Sequence, residues 1–379
     1  IAPILHRIFE DRPKPISCIY ITPLRALNRD MLKRAKFLTS ELGLKAAVRH
    51  SDTPMSERSS HVTHPPDIMI TTPETLQILL IAKRMKEHLK NVRWVVVDEI
   101  HELADDERGA QLAVGLERLA HLRSGEFQRI GLSATVGSPR EVGNFLAGKG
   151  RKVEIVKVPI PKEMEIKVVC PKVIDKDQDW AEKLSIDPKV AASLRYCRNI
   201  IEEHTSSLFF VNTRNNAEFL GSRFHLLDEE FRIGVHHGSL SKNVRIQMEE
   251  EFKAQILKAL ICTSSLELGI DIGSVNLVLQ YGSPRQVTRI LQRIGRSGHA
   301  VAAQSKGVVV AFEPDEISEA SAIAQRASNR ELEEVKVREN NLAVLANQLV
   351  AMAMEGSISD KKAYETVKRS YPFRNLSFK

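Results

Sequence analysis

The string VVVDEIHE puts two carboxylates, Asp98 and Glu99, directly after a run of apolar β-formers. In open α/β sheets, ligands sit at the carboxyl ends of strands. An acidic side chain there can hold Mg²⁺, usually through water, because magnesium dehydrates reluctantly. A second carboxylate beside it can orient and deprotonate an attacking water. Taken alone, an Asp-Glu pair more often opens a solvated helix. Behind an apolar strand, and followed by Ile100 and His101, it reads as a site.

A second string, QRIGRSGH, carries Gln292, Arg293 and Arg296, expected on one side of a helix start, with Gly295 permitting a close approach. A planar guanidinium suits the negative charge that collects on phosphoryl oxygens during transfer. The plainer reading is a basic helix face bound to solvent or a neighbouring domain. Smaller polar groups complete the set: Arg25, Thr72, Asn212, Thr213, Arg214 and Thr263 each fall just past a predicted strand. Hydroxyls, amides and arginines so placed can grip phosphates without reading bases. Singly, each is also ordinary strand-end or N-cap chemistry.

The elements that must position these groups are legible as alternating patterns. Short apolar runs cover 16–22, 67–72, 93–99 and 129–135, then 207–213, 258–263, 276–282 and 307–312. Helix-like stretches lie between them, such as 27–42, with apolar Leu27, Met31, Ala35, Leu38 and Leu42. The runs lack period-two alternation, so both faces should be covered, which predicts parallel sheets with helices on either side. The pattern occurs twice, predicting two α/β domains, 1–157 and 158–332. The segment 158–179 serves as linker plus entry strand of the second domain. From 333 to 379 the composition becomes helical, with a helix ended by Gly356 and a second one capped by Ser359.

Composition agrees with this reading without deciding it. The 379 residues are 42% hydrophobic and 27% charged, and Lys plus Arg exceed Asp plus Glu by 55 to 48, a formal charge of +7. A mild basic excess is compatible with a polyanionic partner. The four cysteines, Cys18, Cys170, Cys197 and Cys262, form no CxxC pair, which argues against a zinc site and for a reducing, cytoplasmic setting. No run has the length and apolarity of a membrane span, and no signal peptide is legible.

At VVVDEIHE the chain resembles motif II of the DExH branch of superfamily-two helicases. The remaining strings resemble that superfamily's motifs in the expected order. TPLRALNRD (22–30) is similar to motif Ia and TTPET (71–75) to motif Ib; LSAT (132–135) is similar to motif III and FVNTR (210–214) to motif IV. TSSLELGIDIG (263–273) resembles motif V and QRIGRSGH (292–299) motif VI. HSDTP (50–54), His299 at the end of motif VI, and RENNLAVLANQLVAMAMEG followed by YPFRNLS narrow the resemblance to the large helicase-related (Lhr) family. The chain departs from that family at Ser51, where glycine is frequent. His299 stands where many relatives carry a third arginine, which puts a second finger there in doubt.

The resemblance implies two RecA-like domains followed by a partial winged helix. It implies ATP and Mg²⁺ as cofactors and a DNA or RNA strand as partner, with a monomeric, nucleoid-associated motor of 3′-to-5′ polarity in repair or recombination. Asp98 would hold the metal and Glu99 the water, with Arg296 as first choice for the arginine finger and Arg293 beside it. Ser133, Thr135, Gly269 and Asp271 would be ATP-linked or coupling residues, and His101 would couple domains.

One motif is missing. No G-x-x-x-x-G-K-[ST] string occurs, and it is expected just before Ile1, which reads as truncation and predicts poor ATP binding by the chain as given. GNFLAGKG (143–150) is a decoy that ends in glycine, with Gly148 better read as a helix C-cap. Two other readings stay open: an ATP-independent nucleic-acid binding or annealing module, and an RNA-directed member of the same superfamily.

Overall fold

The computed structural model describes residues 1–158, 164–269, 272–297 and 305–378, and these form two compact units. The first comprises Ile1–Lys157 with Glu334–Lys379, and the second Val158–Glu333. Among the described residues, no helix is long and apolar enough to cross a membrane.

The first unit is built on strands β1 (Cys18–Ile21), β2 (Ala46–Arg49), β3 (Ile68–Thr71), β4 (Trp94–Val97) and β5 (Gln128–Gly131). They make one parallel sheet in the order β2-β3-β1-β4-β5. Successive residues of a strand point to opposite faces, and both faces are packed. Ile19 and Ile21 join one core with Val95 and Val97, whereas Cys18 and Tyr20 join the other with Ile68 and Val96. That two-sided burial explains why β1 and β3 read as unbroken apolar runs. Burial also pushes the Cys18 thiol up to about 12, consistent with an inert core residue. Strand β2 (AAVR) is half-buried along its length and too weakly apolar to stand out in the sequence.

The second unit holds β6 (Met164–Val169), β7 (Ser207–Phe210), β8 (Ile233–His236), β9 (Ala259–Cys262), β10 (Leu277–Tyr281) and β11 (Ser305–Val310). Every pairing is parallel, in the order β6-β11-β10-β7-β9-β8. Strand β6 is the entry strand expected within 158–179, and β11 is a sheet strand, as the apolar run at 307–312 implied.

The residues from 334 onward, the third module of the sequence reading, cluster with the first unit and pack on its Glu107–Arg123 helix. Ala110 and Val114 of that helix share a core with Val344, Met352, Ala363, Val367 and Phe373. The reason lies in the helix itself, where every residue from Gly109 to Ala120 except Gln111 is buried, so it needs cover on more than its sheet side. Within the C-terminal part the local expectations hold. The helix Leu342–Glu355 ends at Gly356, whose φ is +150°, and Ser359 accepts from the Lys362 N–H to cap Asp360–Arg369. The decoy glycine behaves likewise: the helix Pro139–Ala147 ends at Gly148, with φ +83°. A Cβ there would come within 2.8 Å of both the Arg369 carbonyl and a Glu117 carboxylate oxygen.

Candidate nucleotide and nucleic-acid site

In the first unit, the singled-out residues lie at the carboxyl ends of adjacent strands. Thr72 follows β3, Arg25 lies beyond β1, Asp98 and Glu99 follow β4, and Ser133 lies beyond β5. Asp98 is held from three directions. Its backbone N–H donates to the Ile21 carbonyl at 2.8 Å, the Tyr20 hydroxyl donates to Oδ2 at 2.8 Å, and the Glu99 N–H donates to Oδ1 at 3.0 Å. Burial, followed by the charge of Asp98, pushes the Tyr20 phenol well above its ordinary range, so it stays protonated and keeps its proton to donate to the carboxylate.

Glu99 has a left-handed backbone, φ 47°, which costs a non-glycine residue roughly 1–2 kcal/mol. Backbone strain of this kind concentrates at functional positions. Two hydrogen bonds weld the segment to the motif III strand, Leu132 N–H to Val97 O at 2.9 Å and Ile100 N–H to Leu132 O at 3.0 Å. His101 is buried, with Nδ1 3.6 Å from Glu99 Oε2 and 3.2 Å from Ser133 Oγ, and Nε2 3.3 Å from Glu102 Oε1. The pairing of His101 with Ser133 brings two of the expected coupling residues together. Thr135 is exposed nearby in the chain.

The donor set at Asp98 fits magnesium. Each carboxylate oxygen accepts one hydrogen bond and keeps lone pairs for a water-mediated cation. Magnesium is ordinarily held by one or two carboxylates together with waters and phosphate oxygens, so no protein cage is required.

Several expected nucleic-acid residues are also helix caps. Thr72 caps Pro73–Ile81 through the Thr75 N–H, and Thr213 caps Arg214–Leu227 through the Asn216 N–H at 3.1 Å. Arg25 is exposed but paired with Asp52 at 2.7 Å. Partial burial opposes ionisation of Asp52, yet Arg25 holds its carboxyl below the ordinary value. In the second unit, Asn212, Thr213 and Arg214 follow β7 and are exposed, and Thr263 follows the neighbouring β9. Asn212 Nδ2 donates to the Ser283 carbonyl at 2.8 Å, and Arg214 to Ser239 Oγ at 3.1 Å. Gly269 is half-buried; Asp271 and His299 lie outside the described residues.

Motif VI corrects the sequence reading in two respects. It lies at the end, not the start, of its helix, Val287–Ile294, with Gly295 as C-cap. The start is set instead by Glu333, distant in sequence, which accepts from the Val287 and Thr288 N–H groups at 2.6 and 3.0 Å. The close approach at Gly295 is to its own helix, since a Cβ there would sit 2.9 Å from the Leu291 carbonyl. Second, the three polar residues do not share a face. Gln292 and Arg296 are half-buried, whereas Arg293 is 1% exposed and turned into the core. Its guanidinium stacks on Phe210, 5.2 Å from the ring centroid, and donates to Gln280 and to Glu267.

Sequence reasoning missed Tyr20, Asp52, Glu267, Gln280 and Glu333. Only Tyr20 carried a signal, as the one hydroxyl-bearing aromatic in an otherwise apolar run.

Residues 1–142 match the DEAD/DEAH box helicase family, 192–301 the helicase conserved C-terminal domain, and 325–379 the winged helix domain of large helicase-related proteins. The chain belongs to the large helicase-related family of superfamily-two helicases. It is 42% identical over 383 residues to ATP-dependent helicase Lhr-Core of Methanothermobacter thermautotrophicus, covering 96% of this chain and 43% of that protein. A second Lhr relative, Lhr-Core protein 2 of Thermococcus barophilus, is 40% identical, covering 96% and 44%. The structure of Mycobacterium smegmatis helicase Lhr bound to ssDNA and AMP-PNP superposes with a TM-score of 0.85 at 35% identity, covering 97% of this chain and 50% of that one. The chain thus spans less than half the length of these curated Lhr relatives.

Proposed function

We propose that this chain is the ATP-driven motor segment of a helicase or translocase that acts on DNA with 3′-to-5′ polarity in repair or recombination. The supported carboxylate pair Asp98–Glu99 at a strand end carries the reading. The M. smegmatis relative bound to ssDNA and AMP-PNP supports the partner and the nucleotide; polarity and pathway rest on family resemblance. In the proposed mechanism Glu99 positions the attacking water and accepts its proton. Arg296 supplies positive charge to the transferring phosphoryl group. Asp98 would hold Mg²⁺ through water, and the metal would neutralise phosphate charge when bound. Thr72, Asn212, Thr213, Arg214 and Thr263, with Arg25 released from Asp52, grip the strand backbone.

The test is nucleic-acid-stimulated ATP hydrolysis by this chain and by one extended upstream through a G-x-x-x-x-G-K-[ST] motif. Turnover by the extended chain, faster with DNA than with matched RNA, supports the motor reading. In that chain Glu99→Gln should lower kcat by about 10²–10⁴ while ATP binding survives. Retained turnover in the variant would sink the assigned role. A second reading is an ATP-independent nucleic-acid binding or annealing module. It takes over if neither chain hydrolyses ATP and both bind nucleic acid. Stronger stimulation by RNA would make this an RNA-directed motor.

A further inference from the structure

Arg293 heads the fully buried large side chains among the described residues. A buried guanidinium is tolerated only when its charge and donors are met. Here the charge, the two Nη groups and the guanidinium face are met by three elements other than its own helix, while Nε is without a hydrogen-bond partner among the described residues. Glu267 Oε2, from the motif V loop, lies 3.3 Å from Nη2. Gln280, fully buried on β10, accepts from Nη1. Phe210, the last residue of β7, offers its ring face. The next residue along that strand, Val211, is hydrogen-bonded to β9 at Cys262, immediately before Thr263. One side chain thus ties the ends of β7 and β10 and the motif V loop to the helix that runs up to Gly295 and Arg296.

We infer that Arg293 is a positioning residue. It clamps motif V to motif VI through Glu267 and Gln280, so that the strand-gripping end of motif V and Arg296 move as one body. The inference rests on the motor reading above for its functional consequence, but not for the clamp itself. A guanidinium so enclosed cannot reach a phosphoryl group without giving up Glu267, Gln280 and the Phe210 ring together, which separates its role from that of Arg296.

The test is a double-mutant cycle in the ATP-hydrolysing extended chain, with E267Q, R293M and E267Q/R293M. The clamp predicts that all three lower nucleic-acid-stimulated kcat by a similar factor, about tenfold, because losing either partner opens it. R293K, which keeps the ion pair, should recover part of the loss. Direct phosphoryl contact by Arg293 predicts the opposite pattern, with R293M and R293K both losing roughly 10³ and E267Q close to wild type. That pattern overturns the inference.

A second measurement does not depend on turnover. In the 379-residue chain, amide hydrogen exchange over 264–268 should accelerate in E267Q and, to a smaller extent, in R293K. Unchanged exchange in a folded E267Q variant overturns the clamp, even if R293M fails to fold. If wild type shows no nucleic-acid-stimulated hydrolysis while the exchange result holds, the motor reading fails and the clamp stands.

Discussion

The two oxygens of Asp98 accept from donors of different kinds, a backbone N–H on one side and a phenol on the other. The phenol orients the carboxylate without neutralising it, as an arginine partner would. Removing it with Tyr20→Phe should leave the charge and loosen the aim. Outer partners of this sort are typically worth 10–100-fold in metal affinity. About tenfold more Mg²⁺ is therefore expected for half-maximal hydrolysis in the extended chain, with a stability loss of only about 1 kcal/mol. A magnesium titration alongside a thermal melt checks this. A lowered melting temperature with an unchanged magnesium requirement would reduce Tyr20 to packing. The same scale explains why Arg293 and Arg296, equivalent as letters, part company. Their directions depend on where the helix ends, and three residues carry the chain from a buried face to a half-buried one.

At the scale of elements, the motif VI helix depends on a cap from outside its own neighbourhood. Both Glu333 oxygens accept from the first turn of Val287–Ile294, and Thr288 Oγ1 adds a donor at 2.7 Å. Partial burial opposes ionisation of Glu333, but these hydrogen bonds hold its carboxyl below the ordinary 4.5. A depressed carboxyl contributes stability that is present above the unfolded value and lost as pH falls through the folded one. Glu333→Gln should thus destabilise the second unit by about 1 kcal/mol at pH 7. The difference from wild type should shrink below roughly pH 4. Urea unfolding of both proteins at pH 7 and pH 3.5 measures it, and a difference that persists in acid would assign the effect to packing.

At the scale of the whole chain, the C-terminal helices are joined to the first unit by charge as well as by apolar contact. Glu117 is fully buried, with Arg129 and Arg151 each at 2.8 Å and Arg369 at 3.2 Å. Its neighbour Arg118 is met by Glu355, Gln77 and Gln348. Arg151 lies beyond β5 and Arg369 ends a C-terminal helix, so one carboxylate serves segments more than two hundred residues apart. Breaking one side of a buried ionic cluster strands the remaining charges. Glu117→Gln should cost about 3 kcal/mol, with loss of protection in 107–123 and 342–369 together, read by hydrogen exchange. Loss confined to the C-terminal helices would show that the cluster merely anchors them.

Much of this protein was determined by its sequence alone. Apolar runs without alternation mark the strands buried on both faces. Polar residues directly after them mark the candidate ligand edge of each sheet, because strand direction in a parallel sheet puts all carboxyl ends on one side. The carboxylate pair, its order among the other motifs, the capping residues Ser359 and Gly356 and the decoy Gly148 are local patterns and were legible as such. Tertiary structure alone decided the partners drawn from afar. Tyr20 meets Asp98 across a strand pairing, Glu333 caps a helix beginning at Val287, Glu267 turns Arg293 inward, and residues from 334 onward join the first unit. Each depends on which elements become neighbours in space. A helix such as Glu107–Arg123 advertises its need for cover on several faces but not which distant segment supplies it.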